Sequence, residues 1–310
     1  MKLLALLLLT TIACAQDTPK PVDNKVDTTP PGLPHYHPLE HKNIVYRTAL
    51  DKDGKPVDQI LDVYEIPDNK PHPVIVYWHG GAWWKGNRPQ SVGNRALMDM
   101  GFNIVNVDYR LTDVAPAPAA VEDVLCSLAW VNKNAAQYHI DTAHIVAYGT
   151  SAGGHLALMA GFVPQDTKLV PKECGPLPKV AAVMDFYGIP DVTGVITSGI
   201  PLAKSTLRWV GGGGATDPAT LSMATAMSPN SYLRKSLPPV FIAHGDADPT
   251  VPYTQSIALK KSLEGLQVPV TMFSVPGGGH GGFPPDQTLL INEALIKFFV
   301  ENHLIPPPAR

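Results

Sequence analysis

The sequence lacks the features that would point to nucleic acid, a membrane or a metal. Its 310 residues carry a net charge of -3 and no run of lysine or arginine, so a polyanionic partner is not expected. The apolar run Leu3–Leu9 is too short to span a bilayer. No histidines, cysteines and carboxylates have the spacing of a zinc or two-metal site, so we expect neither a metal nor another cofactor.

The first residues have the pattern of a targeting signal. Lys2 precedes the apolar run, and small residues at 13–15 are suited to cleavage by signal peptidase. We therefore expect residues 1–15 to be a signal peptide and the protein to be secreted or periplasmic. An alternative is that Thr11–Cys14 is a loose lipobox, in which case Cys14 would carry a lipid anchor.

Residues 16–34 are rich in Asp, Thr, Pro and Lys and have no apolar period, which predicts a disordered linker. Residues 35–310 are then one domain. Cysteine is scarce, with three in the whole chain. Cys126 and Cys174 could pair in an oxidising compartment, or they could remain a buried thiol and a loop residue; the sequence leaves both open.

Short apolar runs alternate with helical patterns through most of this domain. The predicted strands are Gln59–Ile66, Val74–Trp78, Asn103–Tyr109, Ile145–Tyr148, Val180–Phe186, Val240–Ala243 and Val270–Val275. Several are continuous and β-branched, as in strands covered on both faces, and Val121–Val131 shows the spacing of a half-buried helix. The alternation predicts a mostly parallel sheet with helices on both faces and a site at the carboxyl ends of its strands.

One stretch breaks this alternation. Residues 187–237 contain four consecutive glycines, several prolines and serines, and only short apolar pieces. We interpret them as a small cap-like insertion that folds over the site.

A G-x-S-x-G pentapeptide, Gly149 to Gly153, joins a strand to an Ala/Leu-rich helix. So tight a turn strains the backbone of its serine, and glycine at both flanks lets strand and helix approach closely. The context predicts that Ser151 is a nucleophile held out of the fold. It also predicts that the backbone N–H of Ala152 points into the same space.

A second glycine loop begins at His79, directly after the strand Val74–Trp78. A tetrahedral intermediate carries negative charge on its oxygen, and fixed N–H groups stabilise that charge. We predict Gly81 and Ala82 as oxyanion-hole donors together with the N–H of the residue after the nucleophile. His79 is expected to brace the loop and not to act as a base.

Trp83 and Trp84 follow the oxyanion loop. Their flat apolar faces could stack on a sugar or an aromatic acyl group, and we predict Trp83 as a substrate-binding residue. The alternative is that both rings only pack the cap against the sheet.

The predicted base is His280, in a glycine-rich loop after the last strand. The acid that would orient it lies after Val240–Ala243, where Asp246 and Asp248 are both candidates. The chain order of serine, aspartate and histidine is that of the α/β-hydrolases. The residues alone leave the choice between the two aspartates open.

With Val107–Leu111, these motifs make the chain from Asn43 to Leu304 resemble the carboxylesterases of the α/β-hydrolase superfamily. The similarity is strongest to hormone-sensitive-lipase-like esterases and to secreted bacterial feruloyl or acetyl-xylan esterases. It implies an α/β-hydrolase fold with about eight mostly parallel strands. In these families the acid is the fifth residue of a His-Gly-x-x-Asp segment, which here is Asp248. Ala82 stands where lipase-like members often have a third glycine, so a bulky alcohol should fit less well.

The resemblance implies a serine esterase that cleaves short-acyl or aromatic esters, on small molecules or on plant cell-wall carbohydrates, through an acyl-enzyme. Two other classes stay open: an amidase, formamidase or peptidase on the same fold, and a non-catalytic binding protein on a hydrolase scaffold. Binding proteins of that kind usually lose a member of the triad, and here all three residues are present.

Overall fold

A computed structural model describes residues 28–88 and 95–307 of the chain. The predicted signal peptide, the alternative lipid anchor at Cys14 and the predicted linker up to residue 27 lie outside these ranges. In the part that is described, no helix combines the length and the apolar character needed to cross a bilayer.

The described chain alternates strands and helices. The strands are β1 (Leu39–Leu50), β2 (Pro56–Glu65), β3 (His72–Trp78), β4 (Asn103–Val107), β5 (Ile140–Thr150), β6 (Ala182–Phe186), β7 (Val240–Gly245) and β8 (Val270–Val275). The helices are α1 (Arg95–Asp99), α2 (Ala119–Asn134), α3 (Ala152–Phe162), α4 (Val192–Thr197), α5 (Pro201–Trp209), α6 (Pro218–Ala226), α7 (Thr254–Gly265) and α8 (Pro285–Glu301).

The strands form one eight-stranded sheet in the order β1-β2-β4-β3-β5-β6-β7-β8. β1 and β2 pair antiparallel, as do β2 and β4, and every later pair is parallel. The predicted α/β fold with a mostly parallel sheet is therefore confirmed. The carboxyl ends of β3, β5, β7 and β8 lie along one edge of the sheet, so the loops that carry the predicted site residues leave from that edge.

The sheet is covered on both faces, and β3 shows how. Val74, Val76 and Trp78 belong to the core on one face, with α2 and α3. Ile75 and Tyr77 belong to the core on the other face, with α1 and α8. A strand that buries both sets of side chains has to read as a continuous apolar run, and β3 does.

Three features add to the predicted fold. β1 was not predicted, and it is an edge strand with mostly exposed side chains. The described end of the predicted linker contacts the domain, because Asn292 donates to the Thr28 carbonyl at 2.8 Å and Pro30 is buried. Cys126 and Cys174 form a disulfide, with a Cα–Cα distance of 5.0 Å, which ties α2 to a 3-10 turn at Lys172–Cys174.

The stretch between β6 and β7 forms the short helices α4, α5 and α6 and a 3-10 turn at Pro229–Tyr232. Asp191 and Asp217 cap α4 and α6, each accepting a backbone N–H of the first turn. The segment thus has defined local structure of its own, built from helices of six to nine residues.

Candidate active site

Ser151 occupies the strained turn between β5 and α3. Its φ is 55° and its ψ is −121°, a conformation that non-glycine residues rarely adopt. The flanking glycines are needed for close approach: a Cβ at Gly149 would lie 2.1 Å from the Gly153 carbonyl oxygen, and one at Gly153 would lie 2.0 Å from the Trp78 carbonyl oxygen. The predicted strand-turn-helix geometry of the pentapeptide is confirmed.

The structure brings Ser151, His280 and Asp248 into one hydrogen-bonded chain. His280 Nε2 lies 2.8 Å from Ser151 Oγ, and His280 Nδ1 lies 2.6 Å from Asp248 Oδ2. Since a carboxylate only accepts, Nδ1 carries the hydrogen, and Nε2 is left to accept the serine hydroxyl hydrogen. The arrangement prepares the imidazole to take a proton from Ser151.

Of the two candidate aspartates, only Asp248 reaches the histidine. Its Oδ1 accepts the N–H of Thr250 at 2.7 Å and that of Val251 at 3.0 Å. Burial would raise the pKa of Asp248, but hydrogen bonds from His244 and His280 outweigh it and hold that pKa well below its usual range. Asp246 instead accepts the N–H of Gly277 at 2.7 Å, on the exposed side of the same loop.

The oxyanion loop lies against the turn that holds the nucleophile. A Cβ at Gly80 would come within 3.3 Å of Ser151 Cβ, so this glycine permits the contact. Gly81 and Ala82 have φ values of 121° and 51°, which turns the backbone sharply. The N–H groups of Gly81, Ala82 and Ala152 donate to no acceptor within residues 28–88 and 95–307. They are therefore available to a bound oxyanion, at the N-terminus of α3.

His79 braces this loop, as predicted. Its ring stacks on Tyr109 with centroids 4.4 Å apart, and its Nδ1 is 2.7 Å from the Gly80 carbonyl oxygen. Tyr109 also donates its hydroxyl to the His79 carbonyl at 2.9 Å. Burial lowers the pKa of His79, which favours the neutral ring that such a packing role requires.

The prediction that Trp83 binds substrate is wrong. Its side chain has an exposed fraction of 0%, and its ring stacks on Trp209 of α5 at 4.2 Å and 4°. No face of the indole is left for a sugar or an acyl group. The ring instead packs against α5, in the segment between β6 and β7. Trp84 is 42% exposed, with the Lys85 ammonium 5.2 Å from its ring.

His155, which the sequence did not single out, links the loop of Trp83 to the segment between β6 and β7. Its Nδ1 accepts the indole N–H of Trp83 at 3.2 Å, and its Nε2 is 2.7 Å from the Met227 carbonyl oxygen. Burial lowers the pKa of His155 to about 4, so the ring is neutral near pH 7. One imidazole thus joins the oxyanion loop, α3 and the end of α6.

Tyr187 was also missed. It follows β6 with a φ of 44°, and its ring meets that of His280 edge-on at 4.8 Å. Phe283 lies edge-on to Tyr187 at 5.9 Å on the other side. A positive φ at a bulky residue beside the base marks a site residue, but no local pattern in the sequence announces it.

The site thus combines a serine hydroxyl, an imidazole with its carboxylate, and backbone N–H groups without an acceptor in the described chain, which are the kinds of group that acyl transfer uses. Within the described ranges, no three His, Cys, Asp or Glu side chains are close enough to hold a metal ion.

Comparison with known proteins places these features in a family. The BD-FAE family model matches residues 61–263. Esterase LipQ of Mycobacterium tuberculosis is 30% identical over 278 residues, covering 86% of this chain and 65% of LipQ. The chain spans less than two thirds of the length of the first curated relatives it matches.

Two solved structures are similar over most of the chain. A truncated carbohydrate esterase from gut microbiota has a TM-score of 0.71 and 27% identity, covering 86% of this chain and 97% of that one. A bifunctional GH43-CE protein of Bacteroides eggerthii has a TM-score of 0.70 and 28% identity, covering 85% of this chain and 38% of that one.

Proposed function

Since the chain belongs to the BD-FAE family of α/β-hydrolase esterases, we propose that it hydrolyses carboxylic esters through an acyl-enzyme on Ser151. The observation that carries this proposal is the hydrogen-bonded chain from Ser151 through His280 to Asp248, at 2.8 and 2.6 Å. A protein that only bound ligands would not need a serine hydroxyl held on a strained turn and hydrogen-bonded to an imidazole that contacts a carboxylate.

In the first half of the reaction, His280 Nε2 takes the hydroxyl proton as Ser151 Oγ attacks the ester carbonyl carbon. The carbonyl oxygen becomes negative and is stabilised by the N–H groups of Gly81, Ala82 and Ala152. Asp248 stabilises the imidazolium that forms. When the C–O bond to the alcohol breaks, the leaving oxygen takes the proton from His280, and the acyl group remains on the serine.

In the second half of the reaction, water takes the place of the serine hydroxyl as the attacking group. His280 removes a proton from water as the water oxygen attacks the acyl carbon, and the same amides stabilise the second oxyanion. Collapse breaks the bond to Ser151 Oγ, which recovers its proton from the imidazolium. The free acid leaves and the enzyme returns to its starting state.

For the substrate, we propose short-acyl or aromatic esters, including esters on plant cell-wall carbohydrates. The carbohydrate esterase among the similar structures supports the carbohydrate ester. The small size of α4, α5 and α6 supports a short acyl group, because a lipase needs a broad apolar groove or an amphipathic lid. With Trp83 buried, the partly exposed rings of Tyr187 and Phe283 beside His280 are the candidates for aromatic stacking.

We further propose that the protein is exported. The Cys126–Cys174 disulfide supports this, because such bonds form and persist in oxidising compartments.

The test is hydrolysis of nitrophenyl esters of increasing acyl length by the parent and by Ser151→Ala. The parent should cleave acetate and butyrate much faster than decanoate, and the variant should lose roughly a million-fold in turnover. Ser262→Ala, on α7, is the matched control and should behave as the parent. Acetylated xylan, methyl ferulate and a formamide then separate the substrate classes.

Turnover by Ser151→Ala close to that of the parent would overturn the mechanism. Faster cleavage of emulsified long-chain triglyceride than of acetate would overturn the short-acyl preference. Release of acid from neither xylan nor ferulate would leave a general carboxylesterase.

A further inference from the structure

A second histidine contacts the same oxygen of the candidate triad acid as His280 does. His244 lies in β7 with an exposed fraction of 0%. Its Nε2 is 3.1 Å from Asp248 Oδ2 and 3.1 Å from the Val251 carbonyl oxygen. Its Nδ1 is 2.7 Å from Ser256 Oγ, at the start of α7. The mechanism described above does not use this residue.

The hydrogen-bond partners define the tautomer of this ring. Both neighbours of His244 Nε2 are acceptors, so Nε2 carries a hydrogen. The Ser256 hydroxyl has no other acceptor among the described residues, so it donates to Nδ1. The Nε2–H of His244 therefore points at the Asp248 carboxylate and the Val251 carbonyl.

Both carboxylate oxygens of Asp248 consequently accept two hydrogen bonds each. Its Oδ2 accepts an imidazole N–H from His280 and another from His244, while its Oδ1 accepts two backbone N–H groups. Ser256, His244 and Asp248 thus form a second serine-histidine-aspartate chain on the same oxygen, with the two ring nitrogens in the reverse of the roles they have in His280. The remaining groups around His244 are the carboxyl of Asp185 and the rings of Tyr187 and Tyr253.

We propose that His244 is a positioning residue that keeps the Asp248 carboxylate turned toward His280 during turnover. Without its N–H, Oδ2 would be held only by the ring that it has to orient. When His280 becomes imidazolium, Oδ2 must stay in place as the charge appears, and a second fixed donor prevents the carboxyl group from rotating. This inference rests on the proposed function, because it concerns the base of that reaction.

A merely structural role would act through the Val251 carbonyl and would hold the loop that follows β7. The two roles make different predictions. A structural defect lowers the fraction of folded enzyme and adds to the effect of any other variant. A positioning defect lowers turnover per active molecule and vanishes once Asp248 no longer carries a negative charge.

The experiment compares His244→Gln, which keeps an N–H donor, with His244→Leu, which does not. Active molecules are counted with a fluorophosphonate probe, and kcat and KM for nitrophenyl acetate are measured per titrated site. His244→Leu should lose roughly 10- to 100-fold in kcat with little change in KM, and His244→Gln should recover most of that loss. His72→Leu removes a carboxylate-bound histidine outside the site and is the matched control.

His244→Leu is also made in the Asp248→Asn variant, where it should lower kcat by no more than about two-fold. An equal loss in both backgrounds, or unchanged turnover per site in His244→Leu, would overturn the proposal. If His244→Leu does not fold, Ser256→Ala replaces it. That variant keeps His244 but removes the hydroxyl that fixes its tautomer, so kcat should fall roughly 2- to 10-fold.

A readout without turnover separates this inference from the proposed function. In protein with 15N-labelled histidine, the Nδ1–H of His280 should give a far-downfield proton resonance, because it is bonded to a carboxylate. The resonance should persist in His244→Gln and be lost or broadened in His244→Leu. Its persistence unchanged in His244→Leu would overturn the positioning role. A parent that cleaves no ester would overturn the proposed function alone.

Discussion

Several residues around the candidate nucleophile have strained backbone conformations. Ser151, Ala82, Trp83 and Tyr187 all have φ between 44° and 61°. Such conformations cost on the order of 1–3 kcal/mol each, and they persist only where the surroundings over-determine them. Here the surroundings are the glycine contacts of the turn, the Trp83–Trp209 stack and the rings beside His280. Under the proposed mechanism, this strain holds amides and side chains in the positions that acyl transfer would use.

The two aspartates of the loop after β7 offer a direct comparison. Asp248→Asn should lower kcat/KM by about 10,000-fold, because the amide no longer holds His280 in its working tautomer. Asp246→Asn should leave kcat/KM nearly unchanged, because its contact is to the Gly277 N–H. Both variants are assayed on nitrophenyl acetate. The reverse ranking would assign the acid to Asp246.

Asp185 should make stability depend on pH. Its Oδ1 accepts the Gly188 N–H at 2.9 Å, its Oδ2 is buried with no partner among the described residues, and burial raises its pKa to about 7. The folded protein therefore binds this proton more tightly than the unfolded chain does, and stability is lost as pH rises from about 4 to about 7.

Asp185→Asn removes that cost. The free energy of unfolding of the variant minus that of the parent should be about 2–4 kcal/mol larger at pH 8 than at pH 4.5. Denaturant titrations of both proteins at the two pH values measure the difference. A gap of the same size at both values would show that the carboxyl is not protonated in the fold.

At the scale of elements, most of the sheet could be predicted because its strands are buried on both faces. Such strands read as short apolar runs, and seven of them were found within a few residues of their bounds. β1 (Leu39–Leu50) was missed because it is an antiparallel edge strand. Charged and exposed residues fill it, and its pairing with β2 shifts register twice, so it has neither an apolar run nor a regular alternation.

The site was predictable where its chemistry is local. The G-x-S-x-G pentapeptide and the two glycine loops are contiguous motifs, so Ser151, His280 and the oxyanion loop could be singled out. The choice of Asp248 over Asp246 needed the family resemblance, since both lie in one loop. The role of Trp83 was mistaken because its partner Trp209 belongs to a distant element, and no local pattern encodes such a contact.

The segment between β6 and β7 should be held less firmly against the loop of Trp83 in acid. His155 has a pKa of about 4 in the fold, below its ordinary value of 6.5, so the unfolded chain takes up the proton first. Stability is then lost as pH falls from about 6.5 to about 4. Once protonated, the ring can no longer accept the indole N–H of Trp83.

His155→Gln should be less stable than the parent near pH 7, because two buried hydrogen bonds are altered, and should lose less stability between pH 6.5 and 4.5. Thermal unfolding followed by tryptophan fluorescence measures both. His37→Gln, at an exposed position, is the control. Equal pH dependence in parent and His155→Gln would contradict the assignment.

For the molecule as a whole, the disulfide should be a main source of stability. It joins residues separated by 48 positions, and closing a loop of that length restricts the unfolded chain by about 4 kcal/mol in the chain-entropy model. Cys126→Ala/Cys174→Ser should lower the free energy of unfolding by about 2–4 kcal/mol. Neither sulfur contacts the site, so kcat at room temperature should be retained. Unfolding curves with and without reductant, and an assay of the same samples, check both expectations.

The order of Ser151, Asp248 and His280 along the chain also determines when a growing chain first becomes reactive. Ser151 precedes His280 by 129 residues, and Asp248 precedes it by 32. A ribosome that has completed β6 has made the nucleophile but neither of its partners. A chain truncated by stalled translation or by a protease before β8 would keep the turn that carries Ser151 and would lack His280. Under the proposed mechanism, nascent chains and fragments of this kind are inert, so ester hydrolysis can begin only after the loop that carries His280 has been made.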